Sequence, residues 1–146
     1  MAEIFTIGFT KKTARQFFER LRSAGVRTVI DTRLNNSGQL AGFSKKQDLE
    51  YFADQLLGAK YLHWADAAPT EQMLTAYKSG ELNWEKYEAA YRRLIESRRI
   101  QDSIFARKLD GACLLCSEDK PEHCHRRILA EYLAERLPER LLIHHL

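Results

Sequence analysis

The chain lacks the features that would place it in a membrane or in an oxidising compartment. No stretch approaches the roughly 18 consecutive apolar residues that a membrane span needs. The opening MAEIFTIGF has no basic segment leading into a long apolar run, so no secretory signal is expected. A cytoplasmic protein with no membrane partner is the expectation. Cysteine is scarce, with only Cys113, Cys116 and Cys124. An odd number argues against a structural disulfide framework and leaves buried thiols, a reactive thiol or a metal site. Charge of one sign is also lacking. The net charge of +3 is too weak to argue for nucleic acid by itself. Internal repeats, low-complexity segments and linkers are absent.

What is present suits one packed domain spanning residues 1–146. Hydrophobic residues make up 45% and charged residues 29%, ordinary for a globular chain. Glu3 to Phe9 reads as a first strand. Thr13 caps a helix with Phe17, Phe18 and Leu21 on one face, and Gly25 stops it. Val26 to Thr32 is a second strand whose β-branched centre suits burial on both faces. Leu34 to Phe43 is a polar loop of about ten residues, a length often tied to function. A helix from about Ser44 to Leu57 ends at Gly58, and a third strand covers Tyr61 to Trp64. Two helices follow, one opened by Pro69 and Thr70 and the other running from Trp84 to about Arg99. Ser97 to Leu109 reads as a surface connection. Gly111 to Ser117 is a fourth strand. Pro121 sits near the first turn of a helix carrying Ile128, Leu129, Tyr132, Leu133 and Leu137, where a missing N–H costs little, and Leu141 to His144 is a short last strand. Alternation of this kind predicts an α/β fold, a mostly parallel sheet of about five strands with helices on both faces.

Open parallel sheets bind ligands outside the carboxyl ends of their strands. The polar residues gather there: Gly8 and Phe9, then Asp31, Thr32 and Arg33, then Trp64 to Asp66, then Cys116, Ser117 and Glu118. Asp31 and Arg33 point to the same side of their strand. They form either a site for phosphate or carboxylate, which Arg grips bidentately, or a salt bridge closing the strand end. Cys124, His125 and Arg126 fall in the first turns of the last long helix. A helix N-terminus favours an anion and lowers a thiol pKa. A nucleophilic thiolate or an anion pocket is the functional reading, and an inert buried Cys the bland one. Cys113 and Cys116, three positions apart on a strand, face opposite sides, which makes Cys113 a core residue. A metal, zinc or iron, would take Cys116, Cys124 and His125, with Glu118 as a conceivable fourth. A reversible Cys116–Cys124 disulfide is a third option. Tyr61, Trp64, Tyr77, Trp84, Tyr87 and Tyr91 offer rings that could stack on bases, but Trp84, Tyr87 and Tyr91 form a stripe at helical spacing, and packing is the favoured reading. His144 and His145 read as the end of an edge strand or as a tail.

The stretch CSEDKPEHCHRRILAEYL resembles the DUF488 family of uncharacterised bacterial and archaeal proteins, whose mark is Cys-x-Glu, a short proline-bearing gap and Cys-His-Arg. Here these are Cys116, Glu118, Cys124, His125 and Arg126. Thr6-Ile7-Gly8 resembles the family's opening strand, Asp31-Thr32-Arg33 its Asp-x-Arg, Gly42-Phe43-Ser44 its Gly-Phe-Ser, and Tyr61 with His63 its Tyr-x-His. AAPTEQML and NWEKYEAAYRRL resemble one subgroup. The resemblance implies a site at these positions and leaves the reaction and any cofactor open. Three readings follow. The preferred one is an enzyme acting on a small anionic or nucleotide-like substrate. Cys116 or Cys124 would be the nucleophile or a site-shaping thiol, with Glu118, Asp31 or His125 as acid or base. Arg33 and Arg126 would hold the anion, and Gly8, Tyr61, His63 and Phe43 would complete substrate binding. The second is a non-catalytic ligand or nucleic-acid binding module. The third is a metal or thiol-redox site.

Overall fold

The computed structural model describes residues 1–36 and 42–146. Five strands form one sheet in the order β3-β2-β4-β1-β5: β1 (Ala2–Gly8), β2 (Thr28–Asp31), β3 (Lys60–His63), β4 (Ala112–Cys116) and β5 (Leu141–His145). Every pairing is parallel. The expected α/β class and parallel sheet are what the chain adopts. Part of the expected loop Leu34 to Phe43 lies outside the described residues, and it ends in a 3₁₀ turn at Gly42–Ser44.

Five helices cover the two faces: α1 (Ala14–Ala24), α2 (Lys46–Phe52), α3 (Glu71–Ser79), α4 (Trp84–Ser97) and α5 (His125–Arg136). Period-2 alternation sorts the strand residues between them. Ile4, Ile30, Ala112 and Leu114 pack with Tyr91 and Ile95 of α4 and Ile128, Leu129, Tyr132 and Leu133 of α5. On the opposite face Phe5, Ile7, Val29, Cys113 and Leu115 pack with Phe17, Phe18 and Leu21 of α1 and Leu49 of α2. β4, central and buried at every position, must be apolar on both faces, and ACLLC satisfies this. Burial pushes the Cys113 thiol pKa far up, so it stays protonated in the core.

Local signals place the helix ends. Thr13 closes a capping box with Gln16, and Gly25 ends α1 at φ 73. Thr70 and Asn83 cap α3 and α4 by accepting from the backbone N–H three residues on. The helix begun by α2 continues as a π turn over Ala53–Leu57 to Gly58. Pro121 lies in the turn that leads into α5, and its carbonyl accepts from the Cys124 N–H at 3.2 Å. One expectation is corrected. Ser97 to Leu109 is a pair of 3₁₀ turns that bury Ile100, Ala106 and Leu109 in the core. Apolar residues spaced among its charges give the segment an inner side. Among the described residues no helix is long and apolar enough to cross a membrane.

Candidate functional site

The carboxyl ends of β1, β2 and β4 open into a cleft of about 490 Å³. Phe9, Arg33 and Cys116 reach it from the strand ends, and Cys124 and His125 from the start of α5. The arrangement follows from the sheet order, since β4 lies between β1 and β2. Gly8 pairs with Cys116 in register. A Cβ at Gly8 would collide with the Glu118 carbonyl and come within 2.8 Å of Arg126 Nη1. Only glycine lets the β4–α5 loop pass this close to β1.

Cys124 is the N-cap of α5 and makes no side-chain cap bond. The first turn of α5 carries no acidic residue, so no carboxylate of that turn offsets the positive end of the helix beside the two sulfurs. The Cys116 and Cys124 sulfurs are joined as a disulfide. Their Cα atoms stand 7.4 Å apart, beyond the roughly 4.4–6.8 Å usual for a disulfide.

His125 is 8% exposed, and its partners assign its tautomer. Thr32 Oγ1 donates to the Leu115 carbonyl at 2.8 Å, so it can only accept from His125 Nε2 at 3.0 Å. The Thr32 carbonyl accepts from the same nitrogen at 2.9 Å. The proton therefore sits on Nε2 and leaves Nδ1 with a lone pair. Burial pulls the imidazole pKa down to about 4. The Arg126 charge pushes the same way, against the Thr32 hydrogen bond and Asp31. The ring is neutral at ordinary pH.

Arg126 lies behind the cleft, 1% exposed. Its Nε donates to Thr6 Oγ1 at 3.3 Å, Nη1 to Cys116 Sγ at 3.1 Å and to the Glu118 carbonyl, and Nη2 to the Asp119 carbonyl at 3.1 Å. None of these partners is a carboxylate. Burial pulls its pKa down to about 10, below the ordinary 12.5, and leaves it charged. The carboxylates of Asp119, Glu118 and Glu122 favour its charge from a distance, but none is hydrogen-bonded to it, and a buried guanidinium without a direct counter-charge is costly. When the sulfurs are reduced, an ionised Cys116 is the anion in hydrogen-bond contact with it, so this pairing favours the thiolate.

Asp31 and Arg33 form a buried bidentate pair at 2.9 and 2.8 Å. Tyr61 donates its hydroxyl to Asp31 Oδ2 at 2.6 Å, and burial and the carboxylate push its pKa far up. Asp31 is fully buried and saturated with donors. Arg33 Nη2 also donates to the Ser44 carbonyl at 2.6 Å. His63 Nε2 lies 2.9 Å from the Arg33 carbonyl oxygen. Asp31, Tyr61 and His63 thus hold Arg33 at the cleft edge, where its guanidinium lies over the Phe9 ring, 5.3 Å from the centroid, and Nη1 has no hydrogen-bond partner among the described residues.

The opposite wall is aromatic. Trp84 stacks between His123, at 4.8 Å between centroids, and Tyr87, at 5.3 Å, and Tyr77 lies 5.0 Å from Tyr87. Lys78 and Glu118 add one exposed charge of each sign to the lining. Among the described residues, Cys116, Cys124 and His125 form a group with metal-ligand spacing, one donor atom from each lying within 4.8 Å of the others; Glu118 is outside it.

Cys116, Glu118, Cys124, His125 and Arg33 therefore meet in one cleft, while Asp31, Arg126, Gly8, Tyr61 and His63 support it from behind. Phe43 packs against Phe17 and Phe18 at 5.3 and 6.0 Å, away from the cleft lining. Of this wall the sequence reading misses His123, and it gives Tyr77, Trp84 and Tyr87 to packing over stacking. The spacing of Trp84 and Tyr87 marks one helix face, and that signal is the same whether the face meets a core or a cleft.

Neither the curated proteins nor the solved structures contain a significant match to the chain. The model of the family described as "Domain of unknown function DUF488" matches residues 13–133. The match runs from the cap of α1 through most of α5 and includes the Cys116–Arg126 segment, while the Thr6–Gly8 likeness lies outside it. The chain belongs to the DUF488 family.

Proposed function

We propose that this protein is an enzyme acting on a small anionic substrate with a flat, nucleotide-like ring, bound in the cleft at the strand ends. One observation supports the reading most. A single cleft joins a cation with a spare donor at Arg33, an aromatic wall at Tyr77, Trp84 and His123, and a sulfur-and-imidazole floor at Cys116, Cys124 and His125. Each part has a distinct task. Arg33 takes the anion through Nη1 and is held for it by Asp31. The wall covers the ring. The floor is the reacting centre, with Cys116 as the sulfur ionised by Arg126 and His125 Nδ1 as a neutral base. Asp31 is not a base in this scheme, because its oxygens already accept from Arg33 and Tyr61.

Trp84 reports on the cleft, while Trp64, the other tryptophan, is 1% exposed. Titration of the protein with adenosine 5′-monophosphate should give a saturable change in tryptophan fluorescence. Arg33→Met should weaken binding by at least about tenfold, the cost of one charge-assisted contact. Binding of equal strength in Arg33→Met, or no saturable change with either this probe or phenyl phosphate, would contradict the proposal.

A further inference from the structure

We infer that the reduced Cys116–Cys124 pair and His125 form a binding site for one thiophilic divalent cation of the zinc class, with its fourth coordination position open to the cleft. The inference deepens the reading of the cleft as a reaction site. It rests on that reading only for the nature of the fourth ligand.

Four observations converge. The three donor atoms lie within 4.8 Å of one another, and all three residues are buried on their protein side and line the cleft. Two thiolates and one imidazole are the donors that zinc prefers, and three protein ligands with an open place are the pattern of a catalytic site. The backbone spacing suits an ion between the sulfurs. Tetrahedral zinc with bonds of about 2.3 Å holds two sulfurs about 3.8 Å apart, and the 7.4 Å between the Cα atoms exceeds what a direct bond ordinarily spans. Finally, the outer contacts are those of a ligand set. His125 donates its Nε2–H to the Thr32 carbonyl, which leaves Nδ1 as the donor. Arg126 donates an N–H to Cys116 Sγ. Metal-bound imidazoles and thiolates are oriented by such partners.

Charge decides what fills the fourth place. Two thiolates cancel a divalent ion, and the buried Arg126 then leaves one positive charge. An anionic fourth ligand, either hydroxide or an oxygen of the substrate's anion, brings the buried group to neutrality. With the ion bound, Cys116, Cys124 and His125 are ligands, and the reacting group is the one at the open position. The roles of reacting sulfur and base given to Cys116 and His125 above hold for the metal-free protein alone.

Cobalt is a coloured probe of such sites. The full chain would be reduced with a phosphine, freed of reductant without air, and titrated with Co²⁺. The expected result is about one equivalent bound per chain, with a thiolate-to-cobalt charge-transfer band that Zn²⁺ abolishes by displacement. Air-oxidised wild type should show no band, a control that needs no substitution. Cys113→Ala should keep the band, Cys124→Ser should lose it, and His125→Ala should bind at least about tenfold more weakly. No charge-transfer band in folded, fully reduced wild type would overturn the inference. A band lost in Cys113→Ala and kept in Cys124→Ser would overturn it equally. The fluorescence titration with adenosine 5′-monophosphate, run on metal-free protein, fails or succeeds independently and so separates this inference from the proposed function.

Discussion

Arg126, 1% exposed, ties the β4–α5 loop to β1 from behind the cleft. Its position at the start of α5, in Cys-His-Arg, suggests an anion ligand beside Arg33. The guanidinium instead turns back along the helix and spends its donors on Thr6, Cys116 and two loop carbonyls. Side chains of a first helical turn lean towards the N-terminus, here onto the strand ends. Thr6 lies on the face that α5 covers, on the strand beside β4. That contact depends on sheet order, which is not readable from local sequence. His125 carries a testable consequence at the same scale. Its folded pKa, about 4, is below the ordinary 6.5. Between these values the unfolded chain binds the proton and the native, metal-free protein does not. Stability is therefore full above about pH 6.5 and falls as pH drops towards 4, by about 3 kcal/mol in all. Urea unfolding across this range should show the loss in wild type and a smaller slope in His125→Asn. Parallel curves would contradict the buried neutral imidazole.

At the scale of elements, the site depends on the join between β4 and α5. The loop between them crosses Gly8 closely enough that its Glu118 carbonyl occupies the place a Cβ would need. Gly8→Ala should therefore push the loop outward and loosen both carbonyl contacts of Arg126. The expected cost is about 1–3 kcal/mol, the range of small-to-large changes in a packed site. The urea midpoint measures it, and an unchanged midpoint would contradict the close crossing. These elements were readable in the sequence for physical reasons. VRTVIDT has a β-branched centre at Val29 and Ile30, GACLLCS is an apolar run that begins at a glycine and ends at a serine, and Thr13, Thr70 and Gly25 act locally on helix ends. The aromatic wall was not readable. Tyr87 and Tyr91 share a helix face, yet Tyr91 donates to the Ala67 carbonyl inside the core while Tyr87 reaches the cleft. Only the packing of α3 and α4 separates the two fates. Ile100, Ala106 and Leu109 were likewise hidden, because charged neighbours mask the inner side of a 3₁₀ turn.

Across the whole molecule, the fold brings together groups that lie far apart in the chain. Arg33, Trp84 and Cys116 come from separate elements and converge only because β4 inserts between β1 and β2. Two apolar layers fix that insertion, one on each face of the sheet. In the proposed function this convergence is a binding site for a planar anion. Amide chemical shifts of the reduced, metal-free protein, followed by ¹⁵N–¹H correlation spectra during titration with adenosine 5′-monophosphate, test it directly. Saturable shifts concentrated at Phe9, Arg33, Tyr87, Cys116 and His125 are expected. Shifts confined to residues outside the cleft, or none at saturating probe, would contradict it.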